Sequence, residues 1–112
     1  MDEQTALIWA QAERIDKIIN TSARCRDGFL FIVVDPAIED SDLAAYITEN
    51  DVRASSIAYR ALYSPVRTIP AGRVTQAVAL LDTVAATNPN TQTNVLALQA
   101  TLLWLDGRNG RA

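Results

Sequence analysis

Few residues in this chain could do chemistry. It has no histidine, one cysteine (Cys25), one lysine (Lys17) and no glycine-rich loop. Cys25 stands between Arg24 and Arg26, the kind of cationic setting in which thiols become reactive. A nucleophilic cysteine also needs a general base, usually histidine. With none present, and with Phe29, Leu30 and Phe31 close by, Cys25 reads as a small semi-buried hydrophobe. Arg26-Asp27 lies at the edge of an apolar segment. General acid–base work would require a second carboxylate or a nucleophile nearby, so the expectation is a structural ion pair or a cap for residues 28–34.

Asp35, Glu39, Asp40 and Asp42 form an acidic cluster. A calcium loop needs alternating oxygen ligands, a glycine at its sixth position and a glutamate at its twelfth. That pattern is absent, so the cluster reads as negative charge at a helix start. No metal and no cofactor are expected, and no catalytic residue can be named. Tyr46, Tyr59 and Tyr63 are the polar aromatics. Tyr59 and Tyr63 share a helix face with Ser56. They suit either the rim of a core or a contact surface, where tyrosine is enriched.

Composition narrows the classes further. At 112 residues, 49% hydrophobic and 21% charged, the chain suits one globular domain rather than a disordered segment. Its formal charge is −3 and its basic residues are scattered, which argues against nucleic acid as a partner. The longest apolar run, Phe29 to Val34, is far too short to span a membrane. The N-terminus is acidic and polar, unlike a signal peptide. The expected setting is the cytoplasm. Nine arginines against one lysine fit a GC-rich bacterial coding sequence.

The elements that must position these residues are helical. Residues 4–22 carry a stripe of Ile8, Gln11, Ala12, Ile15, Ile18 and Ile19 at three- and four-residue steps. Trp9 lies at its boundary, Asp2 and Glu3 favour the positive helix end, and Thr21-Ser22 marks a break or a new cap. Residues 24–34 have strong β-propensity, yet a strand needs partners for its backbone groups. Only pairing across a dimer would supply one, so the segment is read as a buried helix, ended by Asp35-Pro36. A short helix over 41–49 follows, with Ser41 as its cap. Asp51 caps the next, over 52–63, with Ala54, Ile57, Ala58, Ala61 and Leu62 inward. Pro65 and Pro70 bracket an extended connector.

The last third predicts an antiparallel helical hairpin. One face is Val74, Ala77, Val78, Leu81, Val84 and Ala85, Asn88-Pro89-Asn90 is the turn, and Val95, Leu98, Leu102 and Leu105 form the second face. Asp106-Gly107 is the expected stop. The fold class is therefore all-α: about five helices in a single domain over residues 1–112, which could be cut from a larger polypeptide.

Two resemblances bear on this. Ala77, Leu81 and Pro89, then Leu98, Leu102, Gly107 and Ala112, resemble the small, large, proline and glycine positions of a tetratricopeptide-like hairpin, although no complete repeat is present. Cys25-Arg26-Asp27 after an amphipathic helix, the Ile69-Pro70 entry, and the run from Ala100 to Ala112 resemble the helical C-terminal part of an actinobacterial family of uncharacterised proteins. That resemblance implies a helical fold and no assigned activity. It also implies a further helix after Ala112.

Function then rests on surface. Residues 94–105 are apolar on more than one face, with Leu96, Leu103 and Trp104 beside the main stripe. A helix apolar nearly all round is normally buried on most sides. The expectation is a non-catalytic protein-interaction or structural module whose surface includes Leu96, Leu103, Trp104, Tyr59 and Tyr63. Its partner would be another protein or a second copy in a homodimer. Two alternatives remain: a small-ligand-binding helical domain, and a closed monomer in which helices 4–22 and 24–34 wrap the last helix completely.

Overall fold

The computed structural model of the chain describes residues 3–35, 37–49, 51–63 and 69–108. Among them every regular element is helical: α1 (Glu3–Thr21), α2 (Ala23–Val34), α3 (Asp40–Thr48), α4 (Asp51–Tyr63), α5 (Arg73–Thr87), a 3-10 turn (Pro89–Thr91) and α6 (Gln92–Arg108). The described residues form six α-helices, against about five expected, and each helical segment read from the sequence has its counterpart.

The β-prone segment is a helix. Ser22 caps it: its Oγ accepts from the Cys25 N–H at 3.0 Å, satisfying one of the free donors at a helix start. Leu30, Phe31, Val33 and Val34 are buried and Ile32 is exposed. α2 packs against each of the five other α-helices. Burying a large aliphatic or aromatic side chain stabilises by roughly 1.5–3 kcal/mol. The helix penalty for a β-branched or aromatic residue is only about 0.7 kcal/mol or less, so burial decides the conformation. The helix also satisfies its own backbone, which a lone strand cannot.

Long-range hydrogen bonds set the helix directions. Arg73, first in α5, donates through Nε to Val33 O and through Nη2 to Ile32 O, each at 2.7 Å. The start of α5 therefore meets the end of α2. Gln99 of α6 donates to Val78 O at 3.0 Å and to Asp82 Oδ1 at 2.7 Å on α5. Residues about equally far from the Asn88–Thr91 turn meet, which is the register of the predicted antiparallel hairpin. Ile19, Phe31, Ile69, Leu81, Leu102 and Leu105 lie at the centre of the core. The predicted inward faces of α4, α5 and α6 are buried or half-buried.

Several details differ from expectation. In α1, Ala12, Ile15 and Ile19 face inward, whereas Ile8, Gln11 and Ile18 are exposed. Gln11 and Ile18 lie about 100° round the helix from Ala12 and Ile19. Ile8 lines an open groove between α1 and α5, which leaves it 40% exposed. Trp9 is at the boundary. The N-cap of α3 is Glu39 rather than Ser41, and Asp42 Oδ2 accepts the Glu39 N–H at 3.4 Å. α6 continues through Gly107 to Arg108 instead of stopping at Asp106-Gly107. A Cβ at Gly107 would meet nothing, so the glycine there answers no packing need. The expected roles of Asp2, Pro36, Pro65, the Asp51 side chain and Gly110 to Ala112 fall outside the described residues.

Two glycines should respond oppositely to alanine. Gly28 sits mid-helix, and a Cβ there would lie 3.8 Å from Leu43 and 4.0 Å from Ile47, ordinary contact distances. Gly28→Ala should stabilise by about 0.5–1 kcal/mol through helix propensity. Gly72, before α5, has φ +82°, so Gly72→Ala should destabilise by about 1–2 kcal/mol. Urea unfolding of the two variants checks both signs.

Candidate interaction surface

Polar side chains hold the helices whose outer faces form the surface. Arg24 Nη1 donates to Tyr46 O at 2.9 Å and Glu49 O at 2.7 Å. These carbonyls lie at the C-terminal end of α3, where a cation also complements the helix dipole. Arg73 does the same for the end of α2. Tyr46 OH donates to Asp27 Oδ2 at 2.8 Å. The Tyr46 ring meets Phe31 edge-on at 4.8 Å and lies under the Arg24 guanidinium at 5.7 Å. Burial first, then the hydrogen bond to Asp27 and its charge, push the Tyr46 phenol up to about 12. Tyr46 is thus a buried, bonded residue and not a rim tyrosine.

Arg26 and Asp27 do not form the expected pair. Asp27 accepts from Tyr46, while Arg26 Nη1 donates to Asn94 Oδ1 at 3.0 Å. Adjacent residues on a helix point about 100° apart, so each finds its own partner. From Arg26 the bonds continue as a belt. Asn94 donates to Asn20 at 2.7 Å, Asn20 donates to Thr91 Oγ1 and Asp16 Oδ1 at 2.8 and 2.7 Å, and Asn88 donates to Asp16 Oδ2 at 3.0 Å. This belt ties α1 and α2 to the hairpin turn.

Of the other chemistry-bearing residues, Asp35 and Asp42 are in structural use. Cys25 is a half-buried free thiol. Asp35 Oδ1 accepts the Ala37 N–H at 3.2 Å, and Asp42 pairs with Arg60 at 2.7 Å. Asp40 lies in the first turn of α3. Among the described residues, no group of three or more cysteines and carboxylates is placed to hold a metal.

The surface itself lies mainly on α6. Its inner face (Val95, Leu98, Leu102 and Leu105) is buried, while Leu96, Leu103 and Trp104 are 56%, 55% and 57% exposed. α6 packs on α5 and α2, so it is not wrapped completely. Thr93, Ala97 and Ala100 are exposed on the same outer face, and no residue from 92 to 105 is charged. The sequence reading missed the two alanines; the unbroken absence of charge over 14 positions was the available signal.

Tyr59 and Tyr63 are 68% and 47% exposed, with ring centroids 5.6 Å apart, and Val52 extends their stripe along α4. α4 packs on α3 and α2. The tyrosines therefore lie on α4, and Leu96, Leu103 and Trp104 on α6. A third feature is an open groove of about 630 Å³ between α1 and α5, lined by Ile8, Gln11, Gln76, Ala79, Leu80 and Thr83. No described helix is long and apolar enough to cross a membrane.

No protein-family model, curated protein or solved structure matches this chain.

The Tyr46 bond has a pH signature. The phenol titrates near 10.0 when free and near 12 in the fold, so the unfolded chain releases its proton first. The stability this bond supports is intact below about pH 10 and is lost as pH rises toward 12. Tyr46→Phe should lower stability by about 1–2 kcal/mol at pH 7 and flatten the decline between pH 10 and 12. Melting curves of both proteins across that range test it.

Proposed function

We propose that this chain is a non-catalytic, cytoplasmic helical module that binds another protein or a second copy of itself through the outer face of α6. The observation that carries the reading is that three large apolar side chains, Leu96, Leu103 and Trp104, are more than half exposed on one helix that has no charge from 92 to 105. Exposed apolar groups are common singly, but a contiguous set on one helix face is the usual mark of an interface. Helix-in-groove recognition uses anchors at such spacings. The lone free cysteine suits a reducing compartment. Arg24, Arg26, Asp27 and Asp42 are bound up in holding helices together, which supports a role without catalysis.

The groove between α1 and α5 favours a second reading, a small-ligand site. Its volume falls in the range of ligand pockets, about 300–1,000 Å³. It is open and lined by glutamines and a threonine as well as apolar groups, which suits a ligand less well than an enclosed apolar cavity.

Capture from a lysate of the source cells tests the favoured reading. Immobilised wild type should retain proteins, its own untagged copy included, that Leu103→Glu releases and Tyr59→Ser keeps. Leu103 is exposed, so the variant should fold, and circular dichroism verifies that. Identical retention by wild type and Leu103→Glu would refute the α6 surface.

A further inference from the structure

We infer that α3 and α4 form a hinged flap, closed over one face of α2, that opens as a unit while the other four α-helices stay packed. Those four share a core of their own. α1 packs on α2 and α5, α6 packs on α5 and α2, and α2 packs on α5. Their buried side chains are mostly large, among them Ile19, Phe31, Leu81, Leu102 and Leu105. Among the described helices, α3 and α4 pack chiefly on each other and on α2. The hydrophobic side chains they bury are Ala45, Tyr46, Ala54, Ile57 and Ala61, and three of these are alanines. Hydrophobic stabilisation follows the apolar area removed from water, so less burial holds the flap than holds the four-helix core.

The geometry supplies a hinge end and a latch end. Arg24, near the start of α2, donates to Tyr46 O and Glu49 O at the end of α3. Gly28, one turn further along α2, lies by Leu43, earlier in α3. α3 therefore runs back along α2, away from the connection that joins them. Arg60 pairs with Asp42 at 2.7 Å, so the last turns of α4 lie beside the first turn of α3. Both ends of the flap thus sit toward the end of α2, and its tip sits toward the start. At the tip the fastening is polar. Arg24 holds the two carbonyls, and Tyr46 OH donates to Asp27 Oδ2 at 2.8 Å. The net worth of such bonds is modest, because water takes their place on opening. Packing at the tip is also incomplete, with an open cleft of about 190 Å³ lined by Arg24, Tyr46, Ala54, Ser55 and Ala58. Opening uncovers the face of α2 that bears Phe31, whose ring the Tyr46 ring now meets edge-on. The flap is thus an internal contact that keeps this apolar face of α2 closed.

Native-state hydrogen exchange of the full chain in increasing urea tests this. Buried amides of α3 and α4 should share one opening reaction, at least about tenfold more favourable than that of α5 and α6 and with a shallower urea dependence, because less surface is exposed. Val84→Ala, in the four-helix core, weakens the open and closed forms alike. It should speed the α5 and α6 amides at least about tenfold and leave those of α3 and α4 within about twofold. Tyr46→Phe removes part of the latch and should speed α3 and α4 about fivefold or more. One opening free energy and one urea slope for all helices would overturn the flap, and the wild type alone decides this even if Val84→Ala fails to fold. Amides of α3 and α4 that speed up with those of α5 in Val84→Ala would overturn it too. Unchanged exchange of α3 and α4 in Tyr46→Phe would overturn the latch.

Discussion

The helix from Ala23 to Val34 carries apolar side chains on nearly every side, so no single neighbour can cover it. It packs against all five other α-helices, and their placement follows from that demand. α1 precedes it by one residue, Ser22, which serves as its cap. α3 lies against Gly28, the one point where α2 has no side chain. α5 begins where α2 ends, because Arg73 takes up the last carbonyls of α2. α6 is drawn to the opposite end through Arg26 and Asn94. A buried helix end without such partners would leave carbonyls unsatisfied, at about 1–3 kcal/mol each. Two arginines, Arg24 and Arg73, supply those partners for α3 and α2.

α6 shows what happens when a similar composition is only half covered. Both α2 and α6 are uncharged over their apolar stretches. α2 has neighbours around it, whereas α6, among the described residues, packs mainly on α5 and α2 and leaves its other face exposed. The apolar residues left outside are therefore a consequence of position. They form the α6 face proposed above as the contact with another molecule. In this molecule the polar side chains tie helices together, and the apolar surplus of α6 faces outward.

Much of the fold was legible in the sequence, for identifiable reasons. Helix α2 could be read despite its β-branched run because the chain offers no partner strand. The hairpin of α5 and α6 was visible in two regular stripes separated by Asn88-Pro89-Asn90. Ser22 was recognisable as a cap. What could not be read depends on separations of about 20 to 75 residues. Nothing near Tyr46 in the sequence announces Asp27, and nothing near Asn20 announces Thr91 or Asn94. The same limit misplaced Arg26-Asp27 as a pair. Local chemistry gave the wrong cap for α3, because Glu39 and Ser41 are both plausible and only the backbone decides. Leu96, Leu103 and Trp104 were legible as surplus apolar residues. Tyr59 and Tyr63 were legible as a helix face, but the contact between their rings was not, since it depends on their rotamers.

If α2 is what the other helices assemble around, its backbone amides must be the last to open. Native-state hydrogen exchange measures that residue by residue. The amides of Leu30 to Val34 should exchange only through global unfolding, with the same free energy as urea denaturation, while those on the outer face of α6 and the first turns of α1 exchange sooner. If the α2 amides exchange with α1, while α5 and α6 stay protected, then α2 is a peripheral element and the hairpin is the true core.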